Sequence, residues 1–202
     1  MGDPNPRAPK PPEGSLTVIK FEEYKTIEQK PVWNKMTLHE LNTLDKQKLR
    51  EELFKCCGSS AWVEKMLKVF PMDDLVELLE DAEEKWFECT EEDWKAAFSQ
   101  HPEIGDIESL KTKFSNPGWA QGEQAGVNEA SQHTLEALAE GNRLYKARFG
   151  YIFIVCATGK SAEEMLGLLR ARLPNAPEEE IKIAADEQNK ITKIRLEKLL
   201  ED

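Results

Sequence analysis

The sequence is poor in the residues on which most recognisable chemistry is built. It has three histidines, His39, His101 and His133, and four cysteines, Cys56, Cys57, Cys89 and Cys156, in 202 residues. No H-x-x-x-H and no C-x-x-C occurs, and adjacent Cys56 and Cys57 do not resemble a metal knuckle, so no metal site is expected. Cysteines so placed in a chain of this length read as free thiols of a reducing compartment. No glycine-rich phosphate loop follows a strand and no G-x-S-x-G elbow is present, which argues against a nucleotide cofactor and against serine-hydrolase chemistry. No cofactor is expected. Long apolar runs are also missing: Tyr151 to Ala157 falls well short of the ~20 residues of a membrane helix. The start shows no signal peptide, Pro6 stands where a myristoylation signal needs Ser or Thr, and Leu200-Glu201-Asp202 is no peroxisomal address. A soluble, cytoplasmic protein is the expectation. Basic charge is scarce, with 27 Lys and Arg against 38 Asp and Glu and a net charge of −11. That balance disfavours nucleic acid and anionic membranes as partners. It leaves room for a small anion held by a local arginine.

What is present is bulk and helical pattern. Five Trp, eight Phe and a 40% hydrophobic content supply a sizeable core. Proline is unevenly spread, six of the eleven lying within residues 1–31. That stretch reads as a flexible N-terminal extension, with one short ordered piece at Leu16 to Tyr24. Residues 32–202 read as one all-α domain, a bundle of about eight helices. "TLHEL" is a capping box with Thr37 as N-cap and Glu40 three residues on. It opens a helix with Leu41, Leu44, Leu49, Leu53 and Phe54 on its apolar face, ended by Gly58. Ser59 or Ser60 caps the next helix, which Pro71 stops. Leu75, Leu78, Leu79, Ala82 and Trp86 mark a third, and Thr90 caps a fourth. A short helix is expected at Asp106 to Phe114, then a turn at Asn116 to Gly118. Asn128 caps a helix reaching Phe149, with Gly150 as its stop. Ser161 and Glu164 form a second capping box, and Pro177 suits the first position of the final helix. "YIFIVCATG", residues 151–159, is a strand by propensity but has no partner strand. It is expected as an extended segment threading the core, bonded to helix ends or to a ligand.

Three features carry candidate chemistry. Pro102 disfavours helical geometry at His101, so this imidazole sits at a helix C-terminus, where the dipole favours its protonated form. It is either a cap for the last carbonyls or a proton-transfer group. In "GEQAGV", Gly122, Ala125 and Gly126 leave Glu123 and Gln124 uncrowded, as either a solvated pair or a ligand contact. In the last helix Ile181, Ala184, Ile191, Ile194 and Leu199 form an apolar stripe that Gln188 and Arg195, seven apart, share. A guanidinium there is partly buried and must find an anion, either a structural carboxylate or a ligand. His39 and His133 read as surface residues.

His101-Pro102, Glu123-Gln124, "RFGYIFIVCATGK" and "EEEIKIAADEQNKITKIRLEKL" occur in an order that resembles the family of 2-oxo-4-hydroxy-4-carboxy-5-ureidoimidazoline (OHCU) decarboxylases of urate degradation. The likeness runs from about Leu41 to Leu200, including "CCGSSAWV", "HPEIG" and "NRLYKARFG", and leaves out residues 1–31. It implies an all-α homodimer without a cofactor, acting on a small molecule. It implies that His101 is the catalytic histidine with Pro102 beside the substrate. It further implies that Glu123 is the acidic group, Gln124 the amide contact and Arg195 the anion-binding arginine, with Val155, Cys156, Ala157, Thr158 and Gly159 lining the pocket through their backbone. In "WAQGEQAGV", which reads as one or two helical turns, Ala120, Gln121 and Gly122 precede the glutamate. The family usually has Ser at the position of Ala120, so a hydroxyl contact is missing here: either water or Gln121 takes its place, or the substrate is held a little differently. The reading so implied is decarboxylation of OHCU to (S)-allantoin, with His101 as general acid/base. The alternatives are a hydrolase or isomerase of a related ureido compound, or a non-catalytic helical adaptor with a basic partner.

Overall fold

The computed structural model describes residues 35–101 and 124–200, with no side-chain detail for residues 124–131. Eight helices and no strand occur among the described residues: α1 (Leu38–Thr43), α2 (Lys46–Cys57), α3 (Ser60–Met66), α4 (Leu75–Phe87), α5 (Glu91–Phe98), α6 (Gln124–Phe149), α7 (Ala162–Arg172) and α8 (Pro177–Leu199). The class is all-α, as the pattern of caps implies.

Local chemistry sets most of the ends. Thr37, Thr90 and Ser161 each accept from the N3 backbone while the N3 carboxylate returns to the cap N–H, three complete capping boxes. Ser59 caps α3 by accepting from Trp62 N–H. Gly58 and Gly150 close α2 and α6 with φ of 80° and 79°, left-handed backbone that costs a residue without Cβ little. Pro177 stands in the first turn of α8.

Several expected boundaries are corrected. The single helix expected from Thr37 to Gly58 is two. Leu44 leaves helical geometry, and the Asp45 carboxylate caps a new start by accepting from the Gln47 and Lys48 N–H groups. The break re-aims the chain, so Phe54 is 38% exposed rather than part of the apolar face. α3 ends at Met66, and turns bonded to Val63 O, Lys65 O and Met66 O carry the chain on to Pro71. Asn128 lies inside α6, which already runs from Gln124. The helix expected at 106–114 and the turn expected at 116–118 lie outside the described residues.

The core gathers around α8, which packs on α2, α4 and α5, while α6 packs along α7. Trp62, Trp86, Phe98, Leu53, Met66, Leu78 and Leu196 are fully buried. Each such side chain contributes roughly 1.5–3 kcal/mol of hydrophobic stabilisation. The indole N–H groups are not stranded by this burial. Trp62 Nε1 donates to Ala82 O at 2.9 Å and Trp86 Nε1 to Ala185 O at 2.9 Å. On α8 the buried register runs through Glu180, Ala184, Gln188, Thr192, Leu196 and Leu199. Ile191 and Ile194, expected on the stripe, are only half-buried at its edge.

Residues 152–157 run without regular secondary structure, and Thr158 and Gly159 turn. Charged side chains hold this segment. Arg172 Nη1 donates to Ile154 O at 2.8 Å, and Cys156 N–H donates to Glu187 Oε2 at 2.6 Å. Arg172 in turn pairs with Glu180, which is 0% exposed and also accepts from the Tyr145 hydroxyl and Asn175 Nδ2. Buried charges persist only when paired and hydrogen-bonded, and this network meets that condition.

Candidate active site

His101 ends the turn after α5, its N–H donating to Phe98 O at 3.2 Å. Its half-buried ring does more than cap that helix: Nε2 lies 2.6 Å from Oε1 of Gln188 on α8, a residue with no exposed surface. One residue earlier, Glu187 holds the N–H of Cys156. Consecutive positions of α8 therefore locate both the imidazole and the extended segment. Burial works to raise the Glu187 carboxyl, but the Lys190 ammonium and the Cys156 N–H outweigh it and hold the group below its ordinary range.

Arg195 follows Gln188 by seven residues, on the same face and about 10 Å further along the helix. Its Nη1 donates to Cys56 O at 3.1 Å and to Lys55 O at 3.4 Å, the carbonyl end of α2. A helix C-terminus carries partial negative charge, which suits a guanidinium. No carboxylate pairs with it among the described residues, and burial pulls its pKa below the usual guanidinium value. The neighbouring thiols are quiet: burial pushes Cys56 and Cys57 up to about 12, so neither is a nucleophile near neutral pH.

In the extended segment Val155 and Cys156 are buried, Ala157 is half-buried, and Thr158 and Gly159 are exposed in a turn. Lys160 Nζ donates to Cys156 O at 2.7 Å, so both backbone groups of Cys156 are occupied by this chain. A cavity of about 220 Å³ opens beside His101, with Lys95, Ser99, Lys146 and Tyr151 on its walls. Pro102, Ala120, Gln121, Gly122 and Glu123 lie outside the described residues, and Gln124 begins α6. His39 and His133 are exposed, as expected.

Sequence placed Gln188 on the stripe of the last helix but not against His101, and it did not single out Glu187 or the pair Arg172–Glu180. Glu180 sits in an acidic run, Glu178 to Glu180, that reads as a solvated first turn. The usable signal was register: Glu180, Gln188 and Thr192 fall on the buried stripe of α8, where a polar side chain must have a partner.

In this helical domain Gln188 and Arg195 stand on one face of α8, the first bonded to an imidazole that borders a small cavity. The chain belongs to the OHCU decarboxylase family, whose model matches residues 42–197. The matched range contains every candidate site residue named above. The chain is 40% identical over 150 residues to the uric acid degradation bifunctional protein TTL of Arabidopsis thaliana, covering 73% of this chain and 46% of that protein. It is 29% identical over 101 residues to the 2-oxo-4-hydroxy-4-carboxy-5-ureidoimidazoline decarboxylase of Amia calva, covering 50% of this chain and 58% of that protein. It thus spans about half the length of these curated relatives. Among solved structures, an OHCU decarboxylase in the presence of (S)-allantoin matches with TM-score 0.60 and 39% identity, covering 74% of this chain and 96% of that one. An (S)-allantoin synthase shares the fold with TM-score 0.59 at 15% identity, over 82% of this chain and 54% of that one.

Proposed function

We propose that this protein is a cofactor-independent carboxy-lyase that converts OHCU to (S)-allantoin in urate degradation. The observation that carries the reading is the imidazole of His101, held through Nε2 at 2.6 Å by a buried amide on the helix that also presents Arg195. The substrate carries its carboxylate on a ring carbon next to a C=N bond. When the C–CO2 bond breaks, its electron pair enters that bond, so the substrate supplies its own electron sink. The protein has to hold the anion, fix the ring and deliver one proton to one face. Arg195, which pairs with no carboxylate among the described residues, grips an anionic oxygen. Glu123 accepts from ring or ureido N–H groups, and Gln124 fixes the ureido end. Pro102, the loop Ala120 to Gly122 and the segment Val155 to Gly159 wall the pocket. His101 protonates the carbanion. Residues 1–31 form an extension outside the catalytic unit of residues 32–202, and the unit works as a cytoplasmic homodimer.

The test is to generate OHCU from urate in situ with the two upstream enzymes and follow product circular dichroism. Rapid appearance of optically active allantoin is expected. Decay at the spontaneous, racemic rate refutes the reading. His101→Ala should remain folded and lose about 10²–10⁴ in rate, the usual contribution of a general acid.

A further inference from the structure

We propose that Gln188 is the positioning residue of His101: its buried amide fixes the ring as the Nε2–H form and leaves the transferred proton to Nδ1. The inference rests on the decarboxylase reading for its catalytic consequence, but its geometry stands by itself.

The direction of each hydrogen bond follows from the one beside it. The hydrogen of Thr192 Oγ1 has two acceptors away from the Gln188 side chain, the Gln188 backbone carbonyl at 3.0 Å and the Cys57 sulfur. Oγ1 then accepts from the side chain of Gln188, and Gln188 Nε2 donates to it at 3.2 Å. The amide nitrogen is thereby turned toward Thr192 and the amide oxygen toward His101. An amide oxygen only accepts, so the ring nitrogen 2.6 Å away, Nε2, carries a hydrogen in both the neutral and the charged ring. The nitrogen whose protonation changes is Nδ1.

Burial gives this order its force. Gln188 is 0% exposed and Thr192 2% exposed. A buried amide is unfavourable unless its polar atoms are bonded, and Leu or Met would fill the same space. The placement also ties the ring to the segment before α7, because the preceding residue, Glu187, holds Cys156 N–H at 2.6 Å. Among the described residues the titratable groups sharing the cavity with His101 are Lys95 of α5, Lys146 of α6 and Tyr151 of the extended segment. Glu187 adjoins Gln188 on α8.

Histidine ¹⁵N spectra of the whole chain read the tautomer without any turnover. The exposed His39 and His133 serve as references, and His101→Ala assigns the third signal. In the unsubstituted protein the neutral His101 ring should show a protonated Nε2 and a bare Nδ1. Gln188→Met should mix the two forms and lower kcat roughly 100-fold with little change in KM, the scale of a misplaced catalytic group. Gln188→Glu restores an acceptor, and should recover the Nε2–H form with the His101 limb of the pH profile about one unit higher or more. Thr192→Val, which frees the amide to turn, should mix the tautomers if Gln188→Met fails to fold. A neutral ring protonated on Nδ1 in the unsubstituted protein overturns the proposal. So does a Gln188→Met protein with unchanged tautomer, kcat and pH profile. An Nε2–H ring in a protein that does not decarboxylate OHCU refutes the function and upholds the positioning.

Discussion

Replacing Arg172 by Met removes the cation at the centre of the buried network while nearly preserving the length of the side chain. Arg172 Nε lies 2.7 Å from Glu180 Oε1, and its Nη2 pairs with the same oxygen at 2.6 Å. Nη1 holds Ile154 O at 2.8 Å, and the guanidinium lies 4.7 Å from the centre of the Phe153 ring. The variant leaves Glu180, at 0% exposure, with only Tyr145 and Asn175 as donors. Removing one partner of a buried pair costs about 3–5 kcal/mol, because the remaining charge stays buried without compensation. A loss of that size is a large fraction of the stability of a domain. Urea unfolding followed by tryptophan fluorescence measures it, since Trp62 and Trp86 are buried and report global unfolding. Adding Glu180→Gln to Arg172→Met removes the stranded charge and should recover about half of the loss or more. A single variant costing less than about 1 kcal/mol refutes the reasoning, as does a double variant no more stable than the single one.

A Cβ built on Gly141 would lie 2.1 Å from Leu169 Cδ2, so the fully buried Leu169 side chain or the spacing of α6 and α7 must shift. Gly141→Ala should therefore destabilise by about 1–2 kcal/mol despite the helix preference of alanine, read as a lower urea midpoint; a rise would mean α7 yields to α6. Arg195→Lys keeps the charge but loses the planar fork, so KM for OHCU should rise roughly 10–100-fold; an unchanged KM removes Arg195 from the binding site. The Glu187 carboxyl is held below its ordinary 4.5, so its contribution to stability is full above that pH and fades as pH falls through the lower folded value. Glu187→Gln should flatten urea midpoint against pH in that acid window, and parallel curves for the two proteins would exclude the Cys156 clip as the cause.

Much of the fold is legible in order of residues because its causes are local. A threonine or serine three residues before a carboxylate closes a capping box with atoms that are neighbours in sequence. Thr37, Thr90 and Ser161 did so wherever the chain went next. Gly150 likewise ends α6 through its own φ. Boundaries failed where a second signal competed nearby. Asp45 restarts the helix only eight residues after Thr37, and a leucine pattern that crosses the break hides it.

The parts of the site divide along the same line. That His101 closes a helix, that Gln188 and Arg195 share one face, and that residues 152–157 leave the helical pattern all follow from backbone restrictions and helical period, which act over a few residues. That the His101 ring meets Gln188 across 87 positions was decided by the packing of α5 on α8. The same holds for Arg195, which finds carbonyls of α2, and for the extended segment, hung on Arg172 and Glu187. Hydrogen bonds of this kind depend on orientation to a fraction of an ångström, and only the packed helices supply it. The histidine and the place of Gln188 on its stripe were visible from the start; their meeting was not.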